Sequence, residues 1–336
     1  MGACRIGFSM PRSSVMRLWI AMVVLPRCWR IVLRAPMSSE NYRESVHRSK
    51  SALAFLAVIF LIKVGYVIHQ RQTSPAPSNS TSTSITVPPS STSTSLFTTT
   101  TIPSGVMATA VFTSPTQSGP LDGKIVVIDP GHNGGNWEHL SIIDQLVPDG
   151  RGQKACDTTG TATNSGYAEA TFTFVLAQRV REILLASGAS VEMTRGNNDS
   201  VGPCVNTRAK IGNDAHGDVA LSLHGDGGPS AGHGFAVLIP VSSSTNSAVV
   251  ASSRHFGETL VSSFTSVMPV SDYLGSQGIQ SRSDLAGLNL TTVPKVLVEC
   301  GNMRNSGDAR LMQDSAWQER AAQQIAQAIA TFLVGG

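Results

Sequence analysis

Charge is scarce in this sequence. Only 14% of the 336 residues are Asp, Glu, Lys or Arg, and the formal net charge is +3. What charge there is divides unevenly. Residues 1–71 carry a net +9, residues 72–121 carry no charged side chain at all, and residues 122–336 carry a net −6. The only part that reads as folded is acidic, which excludes nucleic acid as a partner. Cysteine is scarce too, and five in a chain of this length exclude a small disulfide scaffold. No apolar run reaches the roughly 20 residues of an ordinary membrane helix. The longest, residues 52–68, is broken by Lys63. HExxH, GxGxxG and the GK[ST] loop are all missing, so no local motif announces zinc, a dinucleotide or a phosphate.

What is present falls into four segments. Residues 1–51 are basic and read as an unordered cytoplasmic segment. Residues 52–71 read as a signal anchor: nine Lys or Arg precede them, which keeps the N-terminus inside, and Lys63 can snorkel to the interface. No A-x-A cleavage site follows. Residues 72–120 are a linker, about two-thirds Ser, Thr or Pro, too polar to offset the entropy of ordering. Residues 121–336 form one domain, long enough to bury a substantial core.

Within that domain, element types alternate. Short β-branched runs at 124–128, 190–194, 219–223, 234–240 and 295–299 read as strands. Helical spacing covers 168–186, 206–213, 248–267 and 315–333. In the first of these, Phe172, Leu176, Val180 and Leu184 share a face, and Gly188 ends it. The pattern is an α/β domain with its sheet covered on both faces.

In open α/β sheets, chemistry gathers at the carboxyl ends of strands. Three predicted strands end in suitable residues: Asp129-Pro130-Gly131-His132, Leu223-His224-Gly225-Asp226 and Val298-Glu299-Cys300-Gly301. Glu169 opens the first long helix. Two His and a Glu are a known catalytic zinc set, and a further carboxylate can move the proton of water. Blander readings stand beside this one. Glu169 favours a helix N-terminus electrostatically, and a His at a strand end often just satisfies its own hydrogen bonds. Asp226 is placed to orient a ligand His.

The segments IVVIDPGHNGG, GYAEATFTF, LSLHGDGG and PKVLVECGNMRN, in this order, resemble the zinc-dependent N-acetylmuramoyl-L-alanine amidases of the AmiC and CwlV type, in their actinobacterial, mycobacterial-like branch. The resemblance covers about residues 123–334. It implies a twisted, mixed, mostly parallel sheet flanked by helices, as a single catalytic domain. It implies one Zn2+ held by His132, Glu169 and His224, with Glu299 as the catalytic residue. The substrate implied is peptidoglycan, cut between the lactyl group of muramic acid and L-Ala. The enzyme would work outside the cytoplasmic membrane, anchored or secreted, as a monomeric domain. Two alternatives are a zinc carboxypeptidase-like wall hydrolase and a non-catalytic peptidoglycan-binding regulator.

The stretch from His132 to Glu169 is longer than in most members of that family. The additional residues, 137–165, include Cys156. An exported domain meets an oxidising compartment, so Cys156–Cys204 is the expected disulfide. Cys300 reads as a small apolar filler. Arg282 and Asp284 lie near the expected substrate path. Arg282 either receives a peptide carboxylate or forms a surface ion pair with Asp284.

Overall fold

The computed structural model describes residues 21–25, 28–32 and 106–335. The chain divides into two units, residues 1–95 and 96–336. In the first, Ala21–Leu25 (β1) pairs antiparallel with Cys28–Val32 (β2). The expected anchor at 52–71, and the expected linker as far as residue 105, lie outside the described residues. No helix among the described residues is long and apolar enough to cross a membrane.

The second unit runs Val111–Thr113 (β3), Ile125–Pro130 (β4), Leu140–Ile143 (α1), Leu146–Pro148 (β5), Gln153–Ala155 (β6), Glu169–Ala186 (α2), Ser190–Met193 (β7) and Val205–Asp214 (α3). It continues through Val219–Asp226 (β8), Ala236–Pro240 (β9), Val250–Phe264 (α4), Ile279–Arg282 (β10), Ala286–Asn289 (α5), Lys295–Asn302 (β11), Ser306–Gln313 (α6) and Ser315–Val334 (α7). Seven strands make one sheet in the order β10-β9-β11-β8-β4-β7-β3. The four central strands β11, β8, β4 and β7 are mutually parallel. β9 and β10 run together against them, and β3 closes the far edge antiparallel. The mixed, mostly parallel sheet expected from the sequence is therefore present.

Side-chain alternation along the strands sorts residues between two unequal faces. Val126, Ile128, Leu221, Leu223, Val296 and Val298 point to the thick face, where α2, α4 and α7 bury Phe172, Phe256, Phe264, Trp317 and Ile325 in one continuous core. Trp317 keeps its polar end satisfied, with Nε1 donating to the Val267 carbonyl at 2.9 Å. The opposite face is thinly covered. Val127 and Ala220 pack with Val293, while Leu238 and Leu297 meet Leu288 of α5. The functional residues emerge on this thinner side. Gly188, at φ 92°, stops α2 as expected, in a backbone region that other residues adopt at a cost.

One feature differs from the sequence reading. The folded domain begins before residue 121: Met107 bridges to Val201, and β3 pairs with β7. The end of the uncharged segment thus becomes a sheet edge. The insertion at 137–165 is also structured, with α1, the β5–β6 hairpin and the expected Cys156–Cys204 disulfide, whose Cα atoms are 4.3 Å apart. Closing that loop contributes about 4 kcal/mol in the chain-entropy treatment. Cys300 is buried and unpaired among the described residues, as a filler should be.

Beneath the strand ends lies a buried ionic cluster. Asp129, 4% exposed, accepts from Lys295 Nζ at 3.2 Å, Arg208 at 3.0 Å, Ser222 at 2.6 Å and Thr194 at 2.7 Å. Burial alone would raise its pKa, but the two cations outweigh burial and hold it well below the usual carboxylate range. Asp129→Asn leaves the two cations short of their counter-charge. The substitution is expected to cost about 3 to 5 kcal/mol, read from urea unfolding. A loss below about 1 kcal/mol would show that the cluster is dispensable.

Candidate metal centre

Three elements converge above that cluster. β4 delivers His132 just past its C-terminal end, β8 delivers His224, and α2 opens with Glu169. The Glu169 carboxylate lies between the two rings. Its Oε2 is 3.3 Å from His132 Nε2, and its Oε1 is 2.9 Å from His224 Nδ1. All three donor atoms lie within 4.8 Å of one another. The carboxylate is fixed further by the backbone N–H groups of Thr161, at 2.8 Å, and Gly225, at 3.2 Å. His132 sits at φ 56°, a region rarely used by residues other than glycine. Such strain persists only where surrounding contacts fix it.

Electrostatics favour positive charge at this point. Burial opposes a proton on His132, but Glu169 and Asp157 overcome it and raise its pKa to about 10. Glu169 is buried, which would raise its pKa. His132 and His224 reverse the effect and hold it well below the carboxylate range. Two nitrogens and a carboxylate aimed at one point, in a field that stabilises a cation, fit a divalent metal ion and suit zinc.

Glu299 completes the group. It is in register with His224 on the adjacent parallel strand, so both side chains leave the sheet on one side. Its Oε2 is enclosed and accepts no hydrogen bond. Burial first, and then the charges of Glu169 and Asp226, push its carboxyl well above the usual range. These four residues line one cavity of about 370 Å3, together with Asp226, Lys154 and Leu285–Leu288.

Residues 126–331 match the Amidase_3 family, described as N-acetylmuramoyl-L-alanine amidase. The chain belongs to this N-acetylmuramoyl-L-alanine amidase family. It is similar to an N-acetylmuramoyl-L-alanine amidase of Mycobacterium tuberculosis, 41% identical over 217 residues, which cover 63% of this chain and 88% of that protein. Among solved structures, it resembles the amidase Ami1 of Mycobacterium smegmatis, with 41% identity and a TM-score of 0.61, covering 64% of this chain and 99% of the other. The apo form of Ami1 from Mycobacterium abscessus gives 42% identity and a TM-score of 0.60, with 63% and 99% covered. The family's amidase activity is the function of this domain.

Of the residues singled out in the sequence, His132, Glu169, His224 and Glu299 come together. Arg282 and Asp284 do not join them. They form a two-point ion pair with each other, both contacts at 2.7 Å, and neither lines the cavity. The pairing of Asp226 differs from expectation as well. Its carboxylate accepts from the Tyr273 hydroxyl at 2.6 Å. The acid that orients one of the two histidines is instead Asp157, 3.0 Å from His132 Nδ1.

Sequence reasoning missed Asp157 and two buried arginines. Arg208 grips Asp129, Asp157 and the His132 carbonyl. Arg195, fully buried, donates to the carbonyls of Pro130, Gly131 and Ala170, tying the end of β4 to the start of α2. The one local signal for Asp157 was its place beside Cys156 in the insertion.

Gly131 allows the close approach on which the group depends. A Cβ there would lie 2.3 Å from Cε1 of His224. Gly131→Ala must therefore push that ring out of place. A displacement of about 1 Å lowers turnover on the order of a hundredfold, measurable as release of stem peptide from peptidoglycan. Turnover within about twofold of the parent would show that His224 tolerates displacement.

Proposed function

We propose that the domain is a zinc-dependent amidase that hydrolyses the amide between the lactyl group of muramic acid and L-Ala. His132, Glu169 and His224 would hold one Zn2+, and Glu299 would move the proton. The observation that carries this reading is the enclosed Glu299 carboxylate facing a convergent His-Glu-His set in one cavity. Bound there, zinc would polarise a carbonyl and acidify water.

Each residue then has a defined task. Asp157 accepts from Nδ1 of His132, fixing the tautomer that leaves Nε2 free for the metal. Thr161 and Gly225 hold Glu169 in place through their N–H groups. Glu299 takes a proton from the attacking water as its oxygen joins the lactyl carbonyl carbon. As the C–N bond breaks, Glu299 returns that proton to the leaving L-Ala nitrogen. The products are a lactyl carboxylic acid on the glycan and a free stem peptide. An amidase of this specificity would act in the cell wall, where its substrate lies. Residues 52–71 and the linker would tether the domain outside the membrane.

Three outcomes follow for the full chain. Glu299→Gln keeps its zinc but loses about a hundredfold or more in turnover. Turnover equal to the parent's would remove Glu299 from the mechanism. His132→Ala and His224→Ala each lose zinc by elemental analysis, and full zinc content in both would overturn the ligand assignment. Mass spectrometry of digested peptidoglycan reads the bond cut. Shortened peptides still attached to glycan would mark a carboxypeptidase instead.

A further inference from the structure

Two cations line the cavity, and neither has a part in the chemistry above. Arg208 is saturated. Its five N–H groups go to Asp129, Asp157 and the carbonyls of Pro130, His132 and Pro203.

Lys154 is different. It sits on β6 of the insertion hairpin, and its ammonium donates to the Asp284 carbonyl at 2.9 Å. The Asp284 carboxylate is already held by Arg282. No acid pairs with Lys154 among the described residues. An ammonium has three N–H groups, so two remain for a ligand. Leu285, Leu288 and Leu297 line the same cavity and offer no charge. The cavity is thus built with a proton-moving end at Glu299 and one available positive charge.

We infer that Lys154 is a specificity-determining residue. Its ammonium receives a free carboxylate carried by the stem-peptide residue that follows the L-Ala. This rests on the amidase reading given above. Such a carboxylate lies about two residue lengths, roughly 7 Å, from the amide being cut. A compact cavity of about 370 Å3 is roughly 9 Å across, on the order of that separation. A charge-assisted hydrogen bond in a partly enclosed cavity is stronger than one at an open surface.

The rival role for Lys154 is to pin the hairpin to Asp284, and paired substrates separate the two. Two soluble muramyl peptides are compared, identical except that the residue after L-Ala carries a carboxylate in one and a carboxamide in the other. The wild-type full chain should show a KM about tenfold lower for the carboxylate. Lys154→Met should raise that KM about tenfold, leave the carboxamide KM within about twofold, and leave kcat unchanged. Lys154→Arg should keep the preference. Equal losses on both substrates, or no wild-type preference, would overturn the assignment and leave the amidase reading standing. A wild-type chain that cuts neither substrate would overturn both.

Discussion

Asp129 lies where β4, β8 and β11 are tied together below the site, through Ser222 of β8 and Lys295 of β11. Arg208 carries the same cluster across to α3 and on to Asp157. From there the contacts continue to His132, Glu169 and His224. Along this path, basic and acidic groups alternate without a break. Each ion owes its low cost of burial to the next, because an unpartnered charge in the interior is far more costly than a paired one. The positions of these side chains are therefore set by the need to keep the interior neutral as well as by packing.

The insertion supplies what the sheet cannot. Strand ends bring donor atoms together, but they do not fix which nitrogen of an imidazole faces inward. Asp157 does so for His132, and the preceding residue, Cys156, is bonded to Cys204, which caps the helix carrying Arg208. Covalent bond, guanidinium and carboxylate close a small ring around His132. A loop this long would otherwise move its acid freely, since long loops impose little entropic constraint of their own. In an oxidising compartment the bond gives the orienting group the rigidity of the sheet.

Much of this was legible in the sequence, for a physical reason. β4, β8 and β11 are enclosed on both faces, so their apolar runs are nearly continuous and their polar ends stand out. Glu169 was harder. At the start of a helix it had an ordinary electrostatic reason to be there, and only the family resemblance favoured the metal role. Strands β3, β5, β6 and β10 left little local signal. They are three or four residues long, lie at edges or in the insertion, and are held by partners elsewhere in the chain. Arg195, Arg208 and Lys295 were illegible because a lone basic residue in a sequence looks solvent-facing. Its burial depends on oxygens contributed from tens of residues away. Arg282 and Asp284 illustrate the converse, since two opposite charges two residues apart satisfied each other.

β3 also governs how the domain meets its neighbours. Without it, the outer edge of β7 would present unpaired N–H and C=O groups to any passing strand. β3 covers that edge with three residues and offers only a short edge of its own. Those residues come from the end of the segment that reads as a tether. A protease cutting between residues 113 and 121 would sever the edge strand's covalent link to the domain, and its loss would leave a sheet free to join with other copies. The proposed tether and the protection against aggregation would thus share one piece of chain.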